Sequence, residues 1–89
     1  MKAMPTPGEV RYLVVSTFRQ LGVELDSAMD VDETIRLDAG KCVSRTYRCD
    51  GHMAMWLVEV GILQFYDEQG NMLRTVNLFQ QYRPVRMAA

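Results

Sequence analysis

The sequence has few lysines and no long apolar run. Only Lys2 and Lys41 are lysines, and 10 Lys and Arg against 11 Asp and Glu give a formal net charge of -1. A near-neutral chain has no overall field that attracts polyanions, which disfavours nucleic acid as a ligand. No apolar stretch approaches the ~18 to 20 residues that span a bilayer, and the N-terminus lacks the apolar region of a signal peptide. We therefore expect no membrane partner and a cytoplasmic location.

Soft metal ligands are equally scarce, because the chain has two cysteines and one histidine. Cys42 and Cys49 fall in one predicted strand, where a rise of ~3.3 Å per residue separates them by roughly 23 Å, far beyond the ~7 Å that a disulfide allows. We expect two free thiols, which fits a reducing compartment. Without a Cys-x-x-Cys pair the sequence predicts no metal site, and no motif predicts a cofactor.

The chain has the size and composition of one small globular domain spanning 1–89, with 48% hydrophobic and 24% charged residues. Its clearest local signal is a capping box between Thr6 and Glu9, with Pro7 at the first helical position. Apolar residues then recur at three- and four-residue spacing as far as Leu21, and Gly22 suits the residue that ends a helix. The pattern predicts an amphipathic helix over about 7–21.

The rest of the chain predicts strands. An acidic loop covers 23–39 and contains a possible short strand at 34–38, after which we expect strands at about 42–49, 52–66 and 72–80 and a flexible tail at 84–89. Asp50-Gly51 is a strong signal for a two-residue hairpin turn. The predicted fold class is α+β, an N-terminal amphipathic helix followed by a three- to four-stranded antiparallel sheet in an α-β-β-β meander.

The predicted registers leave one sheet face apolar and without a helix to cover it. This face carries Met53, Met55, Leu57, Leu63, Phe65, Leu73 and Phe79. A single helix can cover only one face, and an exposed apolar patch of several hundred Å² usually marks an interaction site. The face therefore predicts a homodimer or a protein partner. Alternatively, residues 23–38 or the tail fold over it.

A second hypothesis, from a different class, is a small enzyme or ligand-binding domain. The hairpin turn brings the Cys49 thiol opposite the His52 imidazole, the residue types of a nucleophile and its base. Glu59 lies within the apolar strand, where a carboxylate can have a raised pKa. A hairpin tip by itself supplies neither a cleft nor an oxyanion hole, so no catalytic residue is assigned.

A third reading is a basic and aromatic surface for single-stranded nucleic acid. It would use Arg36, Arg45, Arg48 and Arg74 with Tyr47 and Trp56. A cross-strand cation–π pair explains Arg45 opposite Trp56 more simply. The sequence thus favours a non-enzymatic domain that associates with itself or with another protein, and it specifies no biological process.

Overall fold

A computed structural model describes residues 5–81, in which one N-terminal helix is followed by a five-stranded antiparallel sheet. The predicted α+β class is confirmed, with five strands instead of three to four. Helix α1 spans Pro7–Gln20. The Glu9 amide donates to the Thr6 hydroxyl at 3.1 Å and the Thr6 amide donates to the Glu9 carboxylate at 2.8 Å, so the capping box is confirmed. After the helix, Gly22 takes a φ of 91° and the Val23 amide donates to the Phe18 carbonyl at 2.9 Å.

The segment that joins α1 to the sheet does not fold over the second face of the sheet. It contains a short 3-10 turn, Ala28–Asp30. Val23 and Val31 on either side of this turn are buried in the same core as α1. The chain then enters the first strand at Asp32, two residues before the predicted start at 34.

The sheet is a simple meander. Its strands are β1 (Asp32–Asp38), β2 (Lys41–Cys49), β3 (His52–Leu57), β4 (Ile62–Tyr66) and β5 (Met72–Asn77), and they lie side by side in this order. Asp50 and Gly51 take φ values of 51° and 82° in the β2–β3 turn. The turn pairs Cys49 with His52, and therefore Arg45 with Trp56, as the sequence predicts.

The prediction of one long strand over 52–66 is wrong. Residues 58–61 form a turn, and β3 and β4 pair with each other across it. Gly61 allows this turn because its φ is 67°, in the left-handed region that favours glycine. The turn changes which residues share a face, since Trp56 now lies opposite Leu63 and Ala54 opposite Phe65.

The predicted third strand over 72–80 is too long. A tight turn at 67–71 leads into β5, in which Leu73 is the extra residue of a bulge opposite the junction of Phe65 and Tyr66. The strand ends at Asn77, and a short helix α2 follows, Leu78–Gln81. The Leu78 amide donates to the Gly61 carbonyl at 2.7 Å, which anchors α2 on the β3–β4 turn. The tail predicted at 84–89 lies outside the described residues.

The core lies between α1 and one face of the sheet. The buried apolar residues of the helix and the joining segment are Val10, Val14, Val15, Phe18, Val23 and Val31, and those of the sheet and α2 are Tyr47, Cys49, Ala54, Trp56, Leu63, Phe65 and Leu78. The rings of Phe18 and Phe65 meet edge to face with 5.6 Å between their centroids. In the described part of the chain, no helix is long and apolar enough to cross a membrane.

Candidate protein-binding surface

The sheet face opposite α1, which we call the open face, carries three cross-strand rows of residues. The ladder registers give a first row of Asp32, Arg48, Met53, Tyr66 and Met72, a middle row of Thr34, Thr46, Met55, Gln64 and Thr75, and a last row of Arg36, Ser44, Leu57, Ile62 and Asn77. The apolar residues concentrate on the two central neighbours β3 and β4, and the charged ones lie on β1 and β2. Residues 5–81 supply no layer over this face, since their helices contribute to the core on the other side.

The polar groups among the apolar side chains bond to neighbours on the same face. The Tyr66 hydroxyl donates to the Gln64 side-chain oxygen at 2.9 Å, and the Thr75 hydroxyl donates to the Met72 sulfur at 3.0 Å. The Arg48 guanidinium donates to the Met53 sulfur at 3.9 Å. Burying a polar group costs free energy chiefly when the group is left unpaired. These bonds therefore lower the cost of removing the face from water.

Two open concavities, of about 770 and 860 Å³, border this face and share Met55. The first also extends round the end of the sheet to Cys49 and His52 on the side of α1. The first reaches the β2–β3 and β4–β5 turns, where five acidic residues line it, and the second follows β1 and β2. The acids are Asp30, Asp32, Asp50, Asp67 and Glu68. In the described residues, no group of three or more His, Cys, Asp or Glu side chains is arranged to hold a metal ion. The Asp67 carboxylate accepts hydrogen bonds from the Asn71 amide, the Asn71 side chain and the Gln69 amide. These bonds lower the pKa of Asp67 and hold its carboxylate within the turn at 67–71.

The structure divides the predicted partner-binding residues between both sides of the sheet. Met53, Met55 and Leu57 lie half-buried on the open face, as predicted. The placement of Leu63 and Phe65 there is wrong, because the turn at Gly61 directs both into the core with 0% exposure. In their place β4 presents Ile62, Gln64 and Tyr66.

Neither of the remaining two residues of that predicted set belongs to the three rows of the open face. Leu73 is the extra residue of the β5 bulge and has no place in the three rows, although it is 41% exposed. Phe79 belongs to α2, where its ring lies against Gly61. The predicted register for these residues fails because it assumes regular strands through both positions.

The Cys49 and His52 side chains both lie on the side of α1, next to each other at the end of the sheet. No hydrogen bond joins them in the described chain. The imidazole contacts the Asp50 carbonyl at 3.4 Å and meets the Phe18 ring edge to face at 6.5 Å. Burial, with Asp30 nearby, raises the pKa of the Cys49 thiol, the opposite of what a nucleophile needs.

Glu59 is not part of this arrangement. It is exposed in the β3–β4 turn, so its predicted position inside an apolar strand is wrong. Of the proposed thiol and imidazole site, Cys49 and His52 line the first concavity together, and Glu59 is not among its lining residues.

The four arginines considered for nucleic acid do not form one surface. Arg36 and Arg48 lie on the open face, whereas Arg45 and Arg74 lie on the side of α1. Arg74 donates to the Gln20 side chain at 2.8 Å, and the Arg45 guanidinium lies 5.8 Å from the centre of the Trp56 ring. The predicted cation–π pair is confirmed.

Sequence reasoning missed a polar cluster on the side of α1. Glu33 accepts from Arg11 at 2.9 Å and from Arg45 at 2.7 Å, and the second bond raises the pKa of Arg45. Beside it the Tyr47 hydroxyl and the Trp56 indole nitrogen are buried with no hydrogen-bond partner in residues 5–81. Burial raises the pKa of Tyr47 well above its usual range. The signal in the sequence was the spacing of two residues between Glu33 and Ile35, which places both side chains on the same face of β1.

Searches among known proteins add no relative to this description. No family model matches the chain, and neither a curated protein nor a solved structure is significantly similar to it.

Proposed function

We propose that this chain is a non-catalytic module that associates with a second protein molecule through the open face, and that this molecule is another copy of the chain. The observation that carries the proposal is the apolar strip on β3 and β4, which lies between the mostly polar strands β2 and β5. The strip consists of Met53, Met55, Leu57, Ile62 and Tyr66. An apolar centre with a polar rim is the usual composition of a protein interface, and methionines adapt to the shape of a partner.

The size of the face indicates a weak complex. Five strands at ~4.8 Å spacing and three rows of side chains at ~6.6 Å spacing give a face of roughly 24 by 20 Å, or about 480 Å² per copy. Two such faces bury about 1,000 Å², near the lower limit for specific interfaces. We expect dissociation in the micromolar range, so that association depends on protein concentration.

The buried thiol supports the non-catalytic part of the proposal. An enzyme that used Cys49 would need the thiolate within reach of a base, and this thiol has a raised pKa and no hydrogen bond to His52 in the described chain. Cys42 and Cys49 are both free, which supports a reducing compartment and hence the cytoplasm.

The test is the molar mass by light scattering and sedimentation velocity over a series of micromolar concentrations. We expect the wild-type mass to rise towards that of a dimer. Leu57→Asp places a charge within the strip and should keep the mass at 10.2 kDa while circular dichroism shows the same fold.

Val60→Asp is the matched control, because Val60 is 57% exposed in the β3–β4 turn and lies outside the three rows. This variant should associate like the wild type. A wild-type chain that stays monomeric at every concentration, or a dimer that Leu57→Asp leaves intact, would contradict the proposal.

A further inference from the structure

We infer that the two copies are related by a two-fold axis that runs along the middle row of the open face, across the strands, so that each strand lies over the same strand of the second copy. This inference rests on the proposed self-association and adds its geometry. Two features of the face support this axis: β3 is apolar along its whole length, and β1 carries opposite charges at its two ends.

Each strand contributes three side chains to the open face, one to each row. Met53, Met55 and Leu57 on β3 are all apolar, and Thr34 on β1 is flanked by Asp32 and Arg36, which are polar with opposite charges. An axis along the middle row keeps every strand over its own copy and exchanges the first and last rows. Apolar strands therefore meet apolar strands.

The exchange of rows also matches individual residues. Met53 meets Leu57 of the second copy, and Tyr66 meets Ile62 of the second copy, so the apolar strip is buried against itself. Asp32 meets Arg36 of the second copy, and by symmetry this pair of opposite charges occurs twice. In residues 5–81 neither Asp32 nor Arg36 has an ion pair, so both charges are available for these contacts.

The alternative in-plane axis, parallel to the strands, gives a poor match. It keeps the rows but exchanges β1 with β5 and β2 with β4. Asp32 then meets Met72 of the second copy, and Ser44 meets Ile62 of the second copy. This axis would place the Asp32 carboxylate against an apolar side chain with no opposite charge, which is unfavourable. The proposed axis also makes one mixed contact, between Met72 and Asn77 of the second copy, but that contact involves no charge.

The middle row is compatible with its position on the axis. Gln64 lies against Gln64 of the second copy, and two primary amides can each donate to the other. The Gln64 oxygen already accepts from Tyr66 at 2.9 Å and has a second lone pair for this bond. Met55 lies against Met55 of the second copy, where its flexible side chain can adapt to the shape of the contact.

Charge reversal and its rescue test the axis. Asp32→Arg and Arg36→Asp each turn two attractive contacts into repulsive ones, and we expect either to raise the dissociation constant about tenfold. The double variant Asp32→Arg/Arg36→Asp restores opposite charges and should bind nearly as the wild type does. Glu24→Arg, a reversal at an exposed loop residue away from the face, is the control and should have no effect.

A distance measurement between two labels tests the orientation of the axis independently of the affinity. A nitroxide is attached at Thr34→Cys in a Cys42→Ser/Cys49→Ala background. For stacked sheets ~10 Å apart, the proposed axis places the two labelled Cα atoms about 10 Å apart, whereas the axis along the strands places them about 22 Å apart. The expected result is strong dipolar broadening in the dimer, and a longer distance overturns the inference.

The outcomes separate this inference from the proposed function. A dimer that Leu57→Asp dissociates but that charge reversal leaves unchanged overturns the axis and retains the open face as the interface. A double variant as weak as the single variants likewise overturns the axis. A chain that never associates overturns both.

Discussion

The β3–β4 turn decides which residues reach the open face, and Gly61→Ala is the most direct perturbation of it. The φ of 67° costs a residue with a Cβ about 1 to 2 kcal/mol. A Cβ at this position would also lie 2.8 Å from Cε2 and 2.9 Å from Cδ2 of the Phe79 ring, so the ring must move. Crowding of this kind in a packed site typically costs about 1 to 3 kcal/mol. We expect the free energy of unfolding to fall by roughly 2 to 5 kcal/mol.

Gly70→Ala separates the two contributions. Gly70 has a similar φ of 85°, but a Cβ there would have no neighbour within 4 Å. This variant should lose only about 1 to 2 kcal/mol. The assay is urea unfolding followed by Trp56 fluorescence, at a protein concentration where the chain is monomeric. Equal losses for the two variants, or an unchanged Gly61→Ala penalty when Phe79→Ala removes the ring, would refute the assignment of Phe79 to this turn.

Two further predictions concern the buried groups on the side of α1. Tyr47→Phe removes a hydroxyl that has no partner in residues 5–81, so stability to urea at neutral pH should stay constant or rise by up to about 1 kcal/mol. Because burial raises the pKa of Tyr47, the wild type loses stability as the pH rises above about 10, the pKa of a tyrosine in the unfolded chain. The variant should lose less stability over this range, and a parallel decline in both proteins would contradict the prediction. Iodoacetamide at neutral pH should modify the half-buried Cys42 before the buried Cys49, whose pKa is raised; peptide mass spectrometry showing the reverse order would disprove it.

The sequence predicts the parts of the fold that local chemistry determines. The capping box from Thr6 to Glu9 and the turn at Asp50-Gly51 each require particular residue types, and both are present as predicted. The pairing of β2 with β3 then follows from a two-residue turn. These signals are short-range and specific.

The turn at 58–61 was missed because its residues resemble an apolar strand. Val58 and Val60 favour strands, and an isolated glycine within a strand pattern usually indicates a bulge. The available signal was length, since a strand over the whole of 52–66 exceeds the ~3 to 10 residues usual for strands. One missed turn moved Leu63 and Phe65 to the wrong face, because side chains alternate along a strand. The bulge at Leu73 depends on tertiary pairing and has no comparable local signal.

Methionine methyl groups provide the most direct test of association through the open face. Met53, Met55 and Met72 lie on that face, whereas Met29 is 87% exposed in the 3-10 turn outside it. In a concentration series of the protein labelled at the methionine methyl groups, the account predicts progressive chemical-shift changes for Met53, Met55 and Met72 and none for Met29. Constant shifts for the three open-face methyls, or changes confined to Met29, would contradict it.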